Sequence, residues 1–326
     1  MQAASVLGQV PTKEAIERGF VESALRWDVN GLRDHARTLG GRTRYGIVGC
    51  DDAQRGAWRQ THRMDVLLVE RHGGTAVLTL NRPEARNALD PALRDALAAS
   101  IPQLRDPAVK AVVICGAGGH FCAGGDVKAM KPEPAQDEVF GGRERLLRLD
   151  RWFDELVDLE KPVIAAVDGV AFGAGLSLAL AADIVLASPR ARFCSVFARL
   201  GFVPDAGGMY LLPRAIGLAR AKDMVFSARV VEAREALAIG LVQQVCEGDV
   251  VQAALAHAER FRHAPTAAIG IAKTVMNHAF ESERREVYAQ EALAQALCLQ
   301  SAFHKEAARR FVDKQPPLYA WPETRA

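Results

Sequence analysis

Two runs of nearly bare backbone constrain this chain more than anything else in it. An apolar stretch at 109–115 leads into Phe121-Cys122-Ala123-Gly124-Gly125-Asp126, and a second at 163–167 leads into Gly169-Val170-Ala171-Phe172-Gly173-Ala174-Gly175. Short apolar runs bounded by glycine read as buried strands, which puts both loops at strand ends. Side chains as small as Gly and Ala let a ligand carbonyl approach main-chain N–H groups. The second loop also opens a helix whose first N–H groups lack partners and carry partial positive charge. Two such groups suit an oxyanion hole, but the same residues also serve tight helix-to-sheet packing, and neither loop alone decides between the two. Neither run is a Gly-x-Gly-x-x-Gly or Gly-Lys-Ser/Thr motif, which argues against nicotinamide and nucleoside-triphosphate chemistry.

The surrounding rhythm is strand, helix, strand. Runs at 66–70 and 75–80 flank Gly73-Gly74 and predict an opening hairpin, and Asp90-Pro91 caps a helix reaching about residue 104. The strand at 109–115 follows, then a helix near 143–159, a strand at 163–167, a small-residue helix at 174–182 and a strand at 184–187. Such alternation implies an α/β layered fold. Beyond Gly208 the pattern is helical at 210–216, 220–227, 233–239, 250–262, 267–280 and 283–299, with one further strand at 241–246. The Pro- and Gly-containing segment 131–143 reads as a mobile loop that closes over substrate. Residues 1–63 differ in character, with ten Lys or Arg, seven Asp or Glu and a Gly40-Gly41 break. So polar a segment supplies little core, and it reads either as a partly helical or mobile extension packed on the main domain or as sequence ahead of a start at Met64. The expected organisation is this extension, a core at 64–262 and a helical carboxy-terminal region at 263–326.

Composition excludes several classes. The chain has 326 residues, 49% of them hydrophobic and 25% charged, which suits an ordinary globular protein. With 41 Lys plus Arg against 39 Asp plus Glu, the net charge of +2 makes no electrostatic case for nucleic acid or an anionic membrane. The longest apolar stretch, at 162–187, contains Asp168, Asp183 and several glycines, so no transmembrane helix is expected. Six scattered cysteines without a Cys-x-x-Cys pair read as reduced, mostly buried thiols. No secretory signal pattern opens the sequence, and a cytoplasmic location is expected. His257 and His263 are spaced too far apart on one helix to converge on a metal, and no metal dependence is expected.

Four motifs in order, Asn81-Arg82-Pro83 with Asn87-Ala88-Leu89, the 121–126 run, Lys161-Pro162 through Gly175, and Gly201 through Gly208, resemble the enoyl-CoA hydratase/isomerase (crotonase) superfamily. The resemblance covers residue 66 to the end and implies a crotonase-like spiral of ββα units followed by a helical carboxy-terminal region that builds homotrimers or dimers of trimers. It implies an acyl-CoA substrate, with coenzyme A arriving as part of that substrate and no separate cofactor. It also implies that the thioester oxygen accepts hydrogen bonds from the N–H groups of Gly125 and Ala174. By the same resemblance Ala123 meets the adenine, and Lys128 and Arg86 approach the CoA phosphates, although solvated surface cations are an equal reading of those two.

Hydratases of this family use two glutamates to orient and activate water, and the matching positions here hold Ser177 and Phe197. Neither takes up a proton at neutral pH; Ser177 can still hydrogen-bond substrate from the pocket lining, but a phenyl ring at 197 repels the water a hydratase must hold. The remaining acid is Asp205 in Val203-Pro204-Asp205-Ala206-Gly207-Gly208. A carboxylate ahead of a glycine-led helix is also a good N-cap. The Pro-Asp-x-Gly-Gly acid nevertheless resembles the one that acts in ring-opening epoxyphenylacetyl-CoA isomerases, and it aligns with the nucleophile of 4-chlorobenzoyl-CoA dehalogenases. One carboxylate suffices to move a proton from C2 to C4 of a 3-enoyl-CoA. The favoured expectation is therefore an isomerase, with Asp205 as shuttle and Phe197 and Phe202 forming a dry acyl pocket. A divergent hydratase, a dehalogenase-like enzyme and a CoA-binding protein without catalysis are the alternatives. Asp126, Asp168 and Asp183 are expected to tie down backbone N–H groups, His120 to be polar surface, and Glu281, Glu283 and Glu286 to lie on solvated faces.

Overall fold

The computed structural model describes residues 66–129 and 138–321, so the boundary expected at Met64, Cys50 and residues 131–137 of the expected mobile loop lie outside the described residues. Strands β1 (Leu67–His72) and β2 (Thr75–Leu80) form the opening hairpin, followed by helix α1 (Pro91–Leu104) and strand β3 (Ala111–Gly116). Helix α2 (Glu138–Val157) starts inside the segment read as loop. Then come β4 (Val163–Val167), β5 (Val170–Phe172), α3 (Ala174–Leu180), β6 (Ile184–Ala187) and β7 (Arg192–Cys194). The remainder holds α4 (Gly208–Ile216), α5 (Leu218–Ser227), β8 (Val231–Glu232), α6 (Ala233–Ala238), β9 (Gln244–Val245), α7 (Val250–Glu259), α8 (Thr266–Asn277), α9 (Arg284–Gln300) and α10 (Ala302–Val312).

Two sheets share these strands. The larger runs β1-β2-β3-β4-β6-β9, parallel throughout except for the β1–β2 hairpin, and the smaller runs β5-β7-β8. The chain steps from β4 in the large sheet to β5 in the small one, through α3, and back to β6 and then β7, which is the expected ββα spiral.

The central strands β3, β4 and β6 of the large sheet are apolar along their length because both faces are covered. Val112, Ile114, Val163, Ala165 and Val167 point toward α1, α2 and α3, while Val113, Cys115, Ile164 and Ala166 alternate onto the opposite face against Val250, Ala254 and Ala258 of α7. Helix α1 forms as its cap predicts: the Asp90 side chain accepts a hydrogen bond from Leu93 N at 2.8 Å, Pro91 opens the first turn, and Leu93, Leu97, Ile101 and Leu104 are buried along one face.

Helix α8 is pinned to the sheet by a part-buried ion pair, in which Lys273 is buried and Asp183 is reached by solvent. Lys273 Nζ donates to Asp183 Oδ2 at 2.8 Å and to the Lys161 carbonyl at 3.2 Å, while the same carboxylate oxygen accepts from Val163 N at 2.7 Å. Asp183 thus ties down backbone as expected, and burial holds its carboxyl above the ordinary carboxylate range although Lys273 pulls the other way. Lys273→Met removes the cation from that part-buried carboxylate and should destabilise the fold by about 1.5–3 kcal/mol at pH 8. A raised carboxyl pKa means the folded chain holds the proton more tightly, so the loss should shrink as pH falls toward 5. Urea melts at the two pH values check both halves.

Helices α9 and α10 bury no residue within the chain and expose Leu293, Leu297, Phe311 and Val312. Glu283 and Glu286, read as solvated faces, form a reciprocal capping box at the start of α9, and Glu281 pairs with Arg214. No helix among the described residues is long and apolar enough to cross a membrane, and none of their His, Cys, Asp and Glu side chains group in threes as metal ligands.

Candidate active site

The first loop lies beside β5 as a fourth short segment. Phe121 N donates to Asp168 O at 2.8 Å, Cys122 N to Val170 O at 2.9 Å, and Phe172 N returns a bond to Cys122 O at 3.0 Å. Backbone packs on backbone here. Gly124 has φ +100°, and a Cβ on it would sit 2.7 Å from Phe172 O and 3.5 Å from Ala174 N. A Cβ on Gly175 would fall 2.3 Å from Cys122 O. Close packing and an open ligand path are thus served by the same glycines. Gly124→Ala meets a left-handed φ and a backbone oxygen together, and it should cost about 2 kcal/mol or more with loss of activity, as thermal melts and turnover will show.

The Asn81-to-Leu89 motif has a structural role beneath the first loop. Asn87 is fully buried; its Oδ1 accepts from Arg82 N at 2.8 Å, and its Nδ2 donates to Ala117 O at 2.9 Å and His120 O at 2.7 Å. Ala123 N donates to Arg86 O, Leu89 N to Gly124 O, and Asp126 N to Leu89 O. Gly125 therefore sits in a braced frame. Ala174 is the first residue of α3, behind Gly173 as an N-cap that supplies no side-chain bond. Among the described residues no protein acceptor pairs with the N–H of Gly125 or of Ala174.

Both residues line a cavity of about 380 Å³ together with Ala123, Phe197, Phe202 and Asp205. Asp205 is not the N-cap of α4: Gly207 occupies that position, and no side chain caps the helix. Instead Asp205 Oδ1 is buried without a hydrogen-bond partner among the described residues. The backbone of Asp205 is held from two sides, its carbonyl accepting from Ser177 Oγ at 2.9 Å and Gly208 N at 2.9 Å. Ser177 is itself buried and does not line the cavity. Burial pushes the Asp205 carboxyl above the ordinary carboxylate range; the positive charge of Arg94 opposes this and the negative charge of Asp150 adds to it. A carboxylate in this setting is a stronger base than one in water.

The pocket is more open than expected. Phe197 is half-buried, but Phe202 is 57% exposed on the rim beside Leu200 and Val203, which are also exposed. Lys128 and Arg86 are exposed and lie outside the cavity lining. Asp168 accepts from Gly169 N, Ser188 Oγ and Arg190, and Asp126 from Lys128 N and Arg82, so both tie down backbone as expected. His120 is more than polar surface: its Nδ1 accepts from Val170 N at 3.4 Å, and burial lowers its pKa. His257 packs on Phe261 and Trp321, away from the cavity. Cys122, inside the first loop, has its thiol pushed up to about 12 by burial, which removes it as a nucleophile. Four described cysteines are buried and Cys298 is half-buried, all free. Sequence reasoning missed Arg94, whose place one residue past Leu93 on a capped helix gives it the signature of an ordinary surface cation.

The two-sheet spiral thus brings two strand-end glycine loops and one part-buried carboxylate around a single cavity. A family model described as enoyl-CoA hydratase/isomerase matches residues 70–321. A probable enoyl-CoA hydratase of Rhodobacter capsulatus is 37% identical over 247 residues, 76% of this chain and 94% of its own. The 1,2-epoxyphenylacetyl-CoA isomerase of Escherichia coli is 34% identical over 262 residues, 78% of this chain and 98% of its own. The crystal structure of an enoyl-CoA hydratase/isomerase from Cupriavidus metallidurans superposes with a TM-score of 0.74 at 36% identity, over 81% of this chain and 100% of that one. The chain belongs to the enoyl-CoA hydratase/isomerase family, and its fold is crotonase-like.

Proposed function

We propose that the protein is an acyl-CoA enzyme that stabilises a thioester enolate and, within the family, shifts a double bond. Asp205 takes the proton from C2 of a 3-enoyl-CoA, leaving a dienolate whose oxygen is held by the N–H groups of Gly125 and Ala174. The same carboxyl then delivers the proton to C4, giving the 2-enoyl-CoA with no net gain or loss of atoms. The observation that carries this reading is the buried, unpartnered Oδ1 of Asp205 in one cavity with both loops. Phe197 in the lining, where the family's hydratases place a glutamate, supports a reaction without added water.

Ala123 meets the CoA adenine in this reading, while Arg86 and Lys128, exposed and free to swing, approach the phosphates. Apolar side chains left bare on α9 and α10 support assembly through the carboxy-terminal helices, as a homotrimer or a dimer of trimers. A divergent hydratase is the second reading, favoured by the exposed rim at Phe202, through which water reaches the cavity. Assays with crotonyl-CoA and with a 3-enoyl-CoA separate the two. Conversion of the 3-enoyl ester with crotonyl-CoA left unhydrated is expected, and hydration of crotonyl-CoA contradicts the isomerase reading.

A further inference from the structure

Successive N–H groups alternate in direction along β5, and those of Val170 and Phe172 face the first loop. Phe172 N meets a backbone acceptor, Cys122 O, at 3.0 Å. Val170 N, one pleat earlier, meets a side chain instead: His120 Nδ1, at 3.4 Å. The carbonyl of His120 is turned the other way, accepting from the buried Asn87 Nδ2 at 2.7 Å, so the ring stands where a backbone oxygen would continue the ladder. The ring is also seated against bare backbone. Gly169 has φ +56°, and a Cβ there would fall 2.5 Å from His120 Nδ1 and 3.2 Å from its Cε1. Val170 is buried, and a buried N–H left without an acceptor costs about 1–3 kcal/mol.

A backbone N–H only donates, so Nδ1 must carry the lone pair, which fixes a neutral ring with its proton on Nε2. An imidazolium donates from both nitrogens and cannot accept this bond. We propose that His120 is a positioning residue whose neutral ring closes the ladder between the two glycine loops, so that its protonation loosens their spacing and slows turnover in acid. The inference rests on the roles given above to the N–H groups of Gly125 and Ala174, which lie a few residues past His120 and Val170 respectively. Among the described residues the charged groups that act on the ring are Arg86 beside the first loop and Arg190 and Asp168 at the base of the second. Asp168 is already matched, its Oδ1 accepting from Arg190 Nε at 2.8 Å, Ser188 Oγ at 2.7 Å and Gly169 N at 3.0 Å. Burial first, then the two guanidinium groups, hold the imidazole below its ordinary range against the pull of Asp168, which keeps the ring neutral at pH 8.

The test reads the ring first, in full-length protein labelled with ¹⁵N-histidine and assigned with His120→Asn. At pH 8 Nδ1 should resonate as an unprotonated nitrogen and Nε2 as a protonated one; a proton on Nδ1 overturns the proposal. Amide hydrogen exchange then reads the ladder. In His120→Leu, which removes the acceptor, exchange at Val170 should accelerate by roughly tenfold. Its kcat for a 3-enoyl-CoA should fall by about tenfold with KM within about twofold, because loop spacing and not substrate binding is disturbed. His120→Asn carries a carbonyl oxygen on Cγ where the ring has Nδ1 and does not titrate, so it should recover most of both losses at pH 8. At pH 5 the parent should exchange Val170 about threefold or more faster than His120→Asn and turn over correspondingly less. Asp205 titrates in both proteins, so the ratio isolates the histidine. His120→Ala replaces the leucine variant should that one fail to fold. Unchanged exchange in the variants lacking the acceptor overturns the brace, and accelerated exchange with kcat unmoved overturns the positioning role. A ratio of parent to asparagine variant that stays level between pH 8 and pH 5 overturns the acid response. A ring and an amide that behave as expected in a protein that turns over no 3-enoyl-CoA sink the isomerase reading and leave the brace standing.

Discussion

Asp205→Asn should lower turnover of a 3-enoyl-CoA by roughly 10² to 10⁴-fold while leaving acyl-CoA affinity within about twofold, because it removes a proton shuttle and keeps the side chain's shape. The same substitution should raise stability at pH 8. Burial holds the Asp205 carboxyl above its unfolded value, so its contribution to stability is full below the unfolded pKa and is lost as pH rises through the folded one. At pH 8 the native chain carries a buried anion whose Oδ1 has no described partner, and the amide carries no charge at all. The melting temperature of the variant should exceed that of the parent at pH 8, with the difference narrowing toward pH 4. An N-cap would behave differently, since asparagine caps a helix about as well as aspartate and the substitution would leave stability nearly unchanged. The rate profile of the parent should show its acid limb above the range of an exposed aspartate, as the base must be ionised to act.

Ala174→Pro tests the other half of the chemistry. Residue 174 is the first helical position of α3, the one place in a helix where proline is accommodated, since that N–H has no intrahelical acceptor to lose. The fold should therefore survive, with circular dichroism unchanged. What disappears is one of the two N–H groups that line the cavity, and loss of one preorganised donor to a developing oxyanion costs about 10² to 10³ in rate. Loss of turnover with intact folding and only modest change in KM is the expected outcome. A proline variant that retains full activity would show that the Ala174 N–H is not used.

Much of the frame was legible because its signals are local. Asp90-Pro91 named the start of α1, the uninterrupted apolar runs named β4 and β6 to the residue, and the small-residue run named α3 from its first residue. Strand β3 starts two residues later than its apolar run, at Ala111. The small sheet was not legible: β7 and β8 are three and two residues long, and pairing of β7 with β5 and of β8 with β7, not their own periodicity, makes them strands. Helix α10 was missed because charged residues crowd its sequence and it buries nothing within the chain.

At the site, the family resemblance of the motifs pointed to Asp205, Gly125 and Ala174 and left open what Asp205 does. Only the tertiary arrangement separates a cap from a buried base, since both place a carboxylate ahead of a glycine-led helix. Ser177 likewise reads as a lining group in sequence, but its hydroxyl is turned onto the Asp205 carbonyl. Arg94 had no signal at all: the fold carries a helix-surface cation into the cavity by way of the Leu89 carbonyl.

A crystal structure with a saturated acyl-CoA bound tests the central claim most directly. The account predicts the thioester oxygen about 2.7–3.1 Å from both the Gly125 and Ala174 nitrogens, with C2 facing the Asp205 carboxylate. A thioester oxygen bonded elsewhere, or an acyl chain that leaves Asp205 on the far side of the cavity, would contradict it.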